Sequence, residues 1–278
     1  MPNVLLTAAL RSEYTHLFAT CEVSPARLGA TDDVVNRIVS NQSRYQSVGG
    51  ALNIPWFFIG AIHHMEAGLS FSGHLHNGDP LTARTLHVPK GRPLTGTPPF
   101  TWEESARDAL KLEGLDHVTD WTTPGLLYQA EKYNGFGYRT NHPETLSPYL
   151  WSASNQYTKG KYTADGKYDP DAVSTQIGAA VVLRRMAENQ VILFDASGNP
   201  IADGTLTSTI TAMEPPVTYS ETDSSPAART LQAALNQFPG VSLFVDGVPG
   251  QRTSDAFRRV TGHFLKGDPR ASAAVVVT

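Results

Sequence analysis

The most apolar stretch of this chain ends on a glutamate. Residues Ile54-Pro-Trp-Phe-Phe-Ile-Gly-Ala-Ile-His-His-Met-Glu66 place Phe58, Ile59, Ile62 and Met65 at helical spacing, and Gly68 supplies a stop. A carboxyl half-buried against Phe58, Ile62 and Phe71 would have its charged form stripped of water, so its pKa rises and it keeps its proton near neutral pH. A general acid needs that state. Hydrolysis of a glycosidic bond calls for such an acid at the bridging oxygen and a second group that holds or activates water. Asp79, in Asn77-Gly-Asp-Pro80, is the expected second carboxylate, facing Glu66 across a hairpin; the same four residues also read as ordinary turn chemistry. Ser72, Thr82 and Thr85 are alternatives for orienting a water, or plain hairpin-surface residues.

Two further segments have the composition of a sugar-binding surface. In Tyr133-Asn-Gly-Phe-Gly-Tyr-Arg139 the glycines allow close backbone approach, Tyr133 and Tyr138 offer flat faces, and Asn134 can bond a hydroxyl or acetamido group. Arg139 closes the segment. Ser147-Pro-Tyr-Leu-Trp-Ser-Ala-Ser-Asn155 adds Tyr149, Trp151 and Asn155, and Lys159-Gly-Lys161 brings positive charge close by in sequence. Such loops can equally pack their aromatics on a helical core.

Five histidines, His63, His64, His74, His76 and His87, raise the question of a metal. The His-Glu-x-x-His pattern is absent, and hydrogen-bonding histidines that frame the hairpin are expected instead, with no metal and no cofactor. No Gly-x-Ser-x-Gly elbow marks a serine nucleophile, and nothing around Cys21 marks it as one.

These residues need elements to position them. Periodicity predicts helices over Asp33 to Tyr45, from Pro55 to Gly68, over Trp102 to Leu112, and over Val173 to Met186 with Asp171 or Ser174 as cap. Asn77-Gly78 predicts a hairpin between Gly68 and Pro89. Val88 to Phe100 is too rich in proline and glycine for regular structure, and Val191 to Ile201 reads as a strand and turn closing the large domain. Glu214 to Pro226, polar and proline-bearing, is the expected linker. The resulting domains are 1–213, a linker over 214–226, and a small tail over 227–278.

Composition narrows the function classes. With 278 residues a sizeable core is available, and 40% hydrophobic against 17% charged residues is a globular balance. Twenty-two basic against 26 acidic residues, a net charge of −4, argues against nucleic acid as a partner. One cysteine excludes a disulfide-stapled fold. No run is long enough to cross a membrane, and the amino terminus lacks the positive start of a signal peptide, so a monomer synthesised in the cytoplasm is expected.

The tail carries a resemblance. Its first helix holds Leu231, Gln232 and Leu235, the loop Leu243-Phe-Val-Asp-Gly-Val-Pro-Gly250 follows, and Thr253 and Ala256 open the next helix. This resembles the peptidoglycan-binding domain of bacterial cell-wall hydrolases. The helix-end glutamate followed by a hairpin, with the segments around Tyr133 and Tyr149, resembles the lysozyme superfamily, in particular its phage and bacterial cell-wall group. That resemblance implies a mainly α fold: a lysozyme-like α+β catalytic domain with a small hairpin, plus a small three-helix C-terminal domain. It also implies that Glu66 is the catalytic glutamate of an endolysin-type muramidase acting on peptidoglycan. A hydrolase of chitin or another β-glucan, and a non-catalytic wall-binding protein, are the competing expectations.

Overall fold

The computed structural model describes residues 4–189, 191–194, 200–201, 217–236, 241, 243–261 and 264–271. Among the described residues it is mainly helical, with two small antiparallel strand pairs. The chain divides into two compact units, Met1–Met186 and Ala187–Thr278.

In the first unit the order is α1 (Ala8–Ala19), α2 (Leu28–Ser40), α3 (Gln42–Leu52), α4 (Trp56–Ala67), α5 (Trp102–Leu112), α6 (Thr123–Asn134), the short α7 (Gly137–Asn141) and α8 (Pro148–Trp151), then β1 (Lys161–Ala164), β2 (Lys167–Asp169) and α9 (Ala179–Glu188). Helix α4 is the centre. Phe57 to His63 and Met65 are all buried, as a helix apolar on every side requires. Pro55 caps its start and Gly68, at φ +56°, its end. It packs on α2 and α3, and α3 in turn on α5.

The single helix expected over Asp33 to Tyr45 is two helices. Asn41 leaves the helical region at φ −114°, ψ 16°, and its side-chain amide donates to the Arg37 carbonyl at 2.9 Å. The break lets Ile38 and Tyr45 both reach the core from different helices. The helix expected from Val173 begins instead at Ala179. Residues ahead of it are held in non-helical contacts: the Gln176 amide donates to the Met65 carbonyl (2.8 Å), His64 Nε2 to the Ile177 carbonyl (3.0 Å), and the Gly178 N–H to the Ser152 carbonyl (2.9 Å). Helix α5 matches its expected bounds and opens with a reciprocal cap between Thr101 and Glu104.

The hairpin expected between Gly68 and Pro89 reduces to one antiparallel bridge, Gly73 with Pro80. His74, Leu75 and His76 are all buried, which no two-residue alternation permits, because the histidines turn onto α5. The two-stranded hairpin of this unit is β1–β2, pairing Lys161 with Asp169 and Tyr162 with Tyr168. Asp165-Gly166 between alternating strands was its sequence signal, with Gly166 at φ +66°.

In the second unit β3 (Leu193–Phe194) pairs antiparallel with β4 (Pro200–Ile201), where a strand and turn were expected; the turn between them lies outside the described residues. The expected linker, Glu214–Pro226, falls inside the second of these units. From Val217 onward the expected linker belongs to the tail: Thr218 bridges Lys266, the Ser225 N–H donates to the Gly247 carbonyl at 2.9 Å, and Val217 and Tyr219 pack on the core of Leu231, Leu235, Ala256, Val260 and Leu265. Residues 214–216 lie outside the described residues. Where three helices were expected, the described residues of the tail form helices α10 (Pro226–Leu235) and α11 (Gln251–Thr261) and a 3-10 turn at Pro269–Ala271.

The motif residues of the tail form one network around buried Gln232. Its amide donates to Asp246 Oδ1 (2.8 Å), the Val248 carbonyl (3.0 Å) and Thr253 Oγ1 (3.1 Å), and its oxygen accepts from the Gly247 N–H (2.7 Å). Gly247 is at φ +84°, and a Cβ there would meet the Ser225 carbonyl oxygen at 2.9 Å.

Tight packing of α4 on α2 provides a test of the core. A Cβ on Gly60 would lie 2.4 Å from Ile38 Cγ2. Gly60→Ala should destabilise the first unit by about 1–3 kcal/mol, read as a lowered denaturant midpoint, because a close-packed core cannot absorb the extra methyl without shifting backbone. An unchanged midpoint would show that α2 and α4 are not in contact there.

Candidate active site

Glu66 lies in the last turn of α4, half-buried, and its Oε1 accepts a hydrogen bond from the Tyr149 hydroxyl at 2.7 Å. Burial pushes its pKa from the ordinary 4.5 up to about 7; the Tyr149 hydrogen bond opposes the rise, and the negative charge of Glu113 adds to it. Glu113, the residue that caps the end of α5, is itself half-buried, and burial raises its pKa while the charge of Lys132 opposes the rise. The hydroxyls of Tyr133 and Tyr149 are pushed well up by burial and by the charges of both glutamates. Glu66, Glu113, Tyr133 and Tyr149 therefore share one electrostatic neighbourhood.

Glu113 was not among the residues singled out from the sequence. In Lys111-Leu-Glu-Gly114 it looks like any solvated helix end, and it carries no apolar approach comparable to that of Glu66. Only the packing of α5 through α3 onto the α4 assembly brings it near Glu66.

On its other side Tyr149 borders an open pocket of about 290 Å³, together with Asn134, Tyr138, Lys161 and Gln176. A second open pocket, of about 540 Å³, shares Asn134 and Tyr138 with the first and continues along Gly135, Gly137 and the β1–β2 hairpin. The hairpin is fixed to α7 by the Tyr162 N–H donating to the Tyr138 hydroxyl at 3.0 Å and by His142 stacking on Tyr168 at 3.5 Å between ring centres. Tyr133, Asn134 and Tyr138 from one segment and Tyr149 from another are thus gathered about Glu66 and the groove that Tyr149 lines.

Other expected site residues are engaged elsewhere. Asp79 is buried, and its carboxylate accepts from the backbone N–H groups of Leu86 (2.8 Å) and His87 (2.9 Å) and pairs with His87 Nδ1 (2.6 Å). Those bonds hold its pKa well below the usual carboxylate range, so it ties down the 77–88 loop as an ionised staple with its lone pairs committed. Thr85 is also buried, accepting from the Arg92 N–H (2.9 Å) and donating to the Pro89 carbonyl. Ser72 is exposed and bonded to Ser70, and Thr82 is exposed on the same loop. Arg139 is not a free ligand-binding cation: it pairs with Glu13 (2.9 Å) and buried Glu131 (2.9 Å), the latter also bonded by Tyr14. Trp151 is a core side chain, 1% exposed, so no sugar can stack on it. Asn155 joins the Glu22 N–H to the Thr20 carbonyl.

All five histidines are structural in the same sense. His63 Nε2 donates to the Ser70 carbonyl (3.1 Å), which leaves Nδ1 to accept from Tyr45 (3.0 Å), and burial lowers its pKa to about 4. His74 spans the Ala83 carbonyl and Ser105 (both 2.8 Å), and His76 pairs with Asp108 (2.8 Å), which Arg92 also grips. Among the described residues no group of three or more His, Cys, Asp or Glu side chains is placed to hold a metal ion.

Compared with known proteins, this chain matches no family model, no curated protein and no solved structure.

Two consequences follow for Glu66. Tyr149→Phe removes a hydrogen bond that favours the charged carboxylate, so the Glu66 pKa should climb above about 7, and Glu113→Gln should lower it; carbon-13 carboxyl titration by NMR reads both. Because the folded pKa exceeds the unfolded one, folding takes up a proton between about pH 4.5 and 7, and the cost of burying the charge is complete above 7. Glu66→Gln should therefore stabilise the protein at pH 8 by on the order of 1 kcal/mol, with the gain vanishing below pH 4.5; a variant less stable at pH 8 would contradict the buried charge.

Proposed function

We propose that this protein is a glycoside hydrolase that cleaves the glycan strands of bacterial peptidoglycan, with a lysozyme-like first unit and a wall-binding tail. The observation that carries the reading is Glu66: a carboxyl held near pKa 7 by burial and bonded to Tyr149, which lines a groove walled also by other tyrosines, asparagines and glycines. Sugar rings stack on tyrosine faces, and asparagine and glutamine amides match hydroxyl and acetamido groups. The groove's two parts suit a polymer better than a single small molecule.

In this mechanism protonated Glu66 gives its proton to the glycosidic oxygen as the bond from that oxygen to the anomeric carbon breaks, and the alcohol leaves. Water adds to the anomeric carbon, and its proton passes to a base. We assign that base to Glu113 rather than Asp79, whose oxygens are occupied by Leu86 and His87. Burial raises the Glu113 pKa against the opposing charge of Lys132, and the negative charge of Glu113 raises that of Glu66, so ionisation of one carboxyl favours the proton on the other. The tail's network around Gln232 and Asp246 supports the wall-binding reading, and such a module would raise the enzyme's local concentration on its polymer.

The test is loss of turbidity of purified, outer-membrane-stripped Gram-negative peptidoglycan, with the soluble fragments identified by mass spectrometry. Wild type should release fragments with new reducing ends, and Glu66→Gln should be slower by about 10²–10⁴-fold. The wild-type rate should fall about tenfold per pH unit above 7, as Glu66 loses its proton. Fragments lacking new reducing ends, or an unimpaired Glu66→Gln, would sink the reading.

A further inference from the structure

The first pocket of the groove, the one bordered by Tyr149, carries one charge, and its role is unassigned. Of the two lysines in Lys159-Gly-Lys161, Lys159 is exposed and paired with Asp171 at 2.6 Å. Lys161 is different: half-buried at the start of β1, it borders the same pocket as Tyr149, Asn134 and Gln176, and among the described residues that line this pocket it alone is charged. Asp169 stands opposite it in the strand register, but the Asp169 carboxylate accepts from the backbone N–H groups of Asp171 (2.9 Å) and Ala172 (3.2 Å). No ion pair engages Lys161 among the described residues.

Its position is tightly built. Gly160 precedes it at φ +97°, where a Cβ would lie 2.3 Å from the Tyr168 hydroxyl, and the next residue's N–H is held by the Tyr138 hydroxyl. The strand start cannot slide, so the lysine stem is anchored at the pocket's edge. A lysine at the pocket's edge with no ion pair among the described residues is available to a ligand anion. The neighbouring Tyr149, Asn134 and Gln176 are neutral and accommodate the uncharged part of the same ligand.

We propose that Lys161 reads a carboxylate on the glycan substrate, and so separates carboxylate-bearing strands from neutral ones such as chitin. The inference rests on the glycosidase reading for its substrate class, though the binding it describes needs no catalysis. In peptidoglycan the anion has two sources of the same chemistry: the lactyl carboxylate of the sugar, free when the peptide is removed, and the carboxylates of an attached peptide.

The experiment measures binding by calorimetry to full-length protein carrying Glu66→Gln, so that cleavage does not intervene. Three oligosaccharides of equal length serve as probes: peptide-free strands with the lactyl carboxylate, peptide-bearing strands, and chitin oligomers. The protein should bind at least one carboxylate-bearing probe about fivefold or more tighter than chitin, with the preference shrinking as salt is raised. Adding Lys161→Met should remove that preference, and Lys161→Arg should restore most of it. Preference for the peptide-free strand assigns the sugar carboxylate; preference confined to the peptide-bearing strand assigns the peptide. Equal affinity for all three, or a preference that survives Lys161→Met, overturns the proposal. Discrimination in binding, combined with no cleavage by wild type of any probe, would leave Lys161 as a carboxylate reader and remove the hydrolase reading instead.

Discussion

Helix α4 is buried along almost its whole circumference, and that one condition organises the first unit. A helix apolar on all sides must be enclosed, so α2 and α3 close against it, with Gly60 giving way to Ile38 and Tyr45 reaching across to His63. Its last turn is where the enclosure ends. The carbonyl of Met65 and the ring of His64 still need partners there, and they take Gln176 and Ile177, which pulls residues 174–178 out of the helix their sequence favours. The polar rim beside Glu66 is thus a consequence of finishing α4.

The same enclosure sets the chemistry of Glu66. Its carboxyl is deep enough to lose hydration yet accepts from Tyr149, a residue that also lines an open groove. Keeping such a group costs stability above neutral pH, the usual exchange of stability for a poised acid. By contrast the Asp79 carboxylate is surrounded by donors and becomes a strong acid that stiffens a loop. Two carboxylates thirteen residues apart acquire opposite roles, Glu66 through burial and Asp79 through the donors around it.

The five histidines illustrate the same point from the other side. Packed in sequence they suggest a metal; packed in space each is spent on a carbonyl, hydroxyl or carboxylate of a different segment. His74 and His76 in particular bind the 73–80 turn to α5, which is why that turn has one bridge and not a ladder. The groove wall is provided instead by β1–β2, with its Asp-Gly turn and paired tyrosines, from a later part of the chain.

The sequence by itself determined what depends on local pattern: the bounds of α5 through its reciprocal cap, the start and stop of α4 through Pro55 and Gly68, the Asp-Gly turn of the tail, and Glu66 as a carboxyl at an apolar helix end. Neighbours in sequence decide caps, turns and periodicity, so these are legible without coordinates. Tertiary structure decided everything that depends on which segments meet. It brought Glu113 near Glu66, placed Tyr149 and Lys161 on one pocket, withdrew Arg139 into ion pairs and Trp151 into the core, and joined Val217 to Ser225 to the tail. Burial and electrostatic environment are properties of contacts between distant segments, and a residue's type and spacing do not specify which contacts it will make.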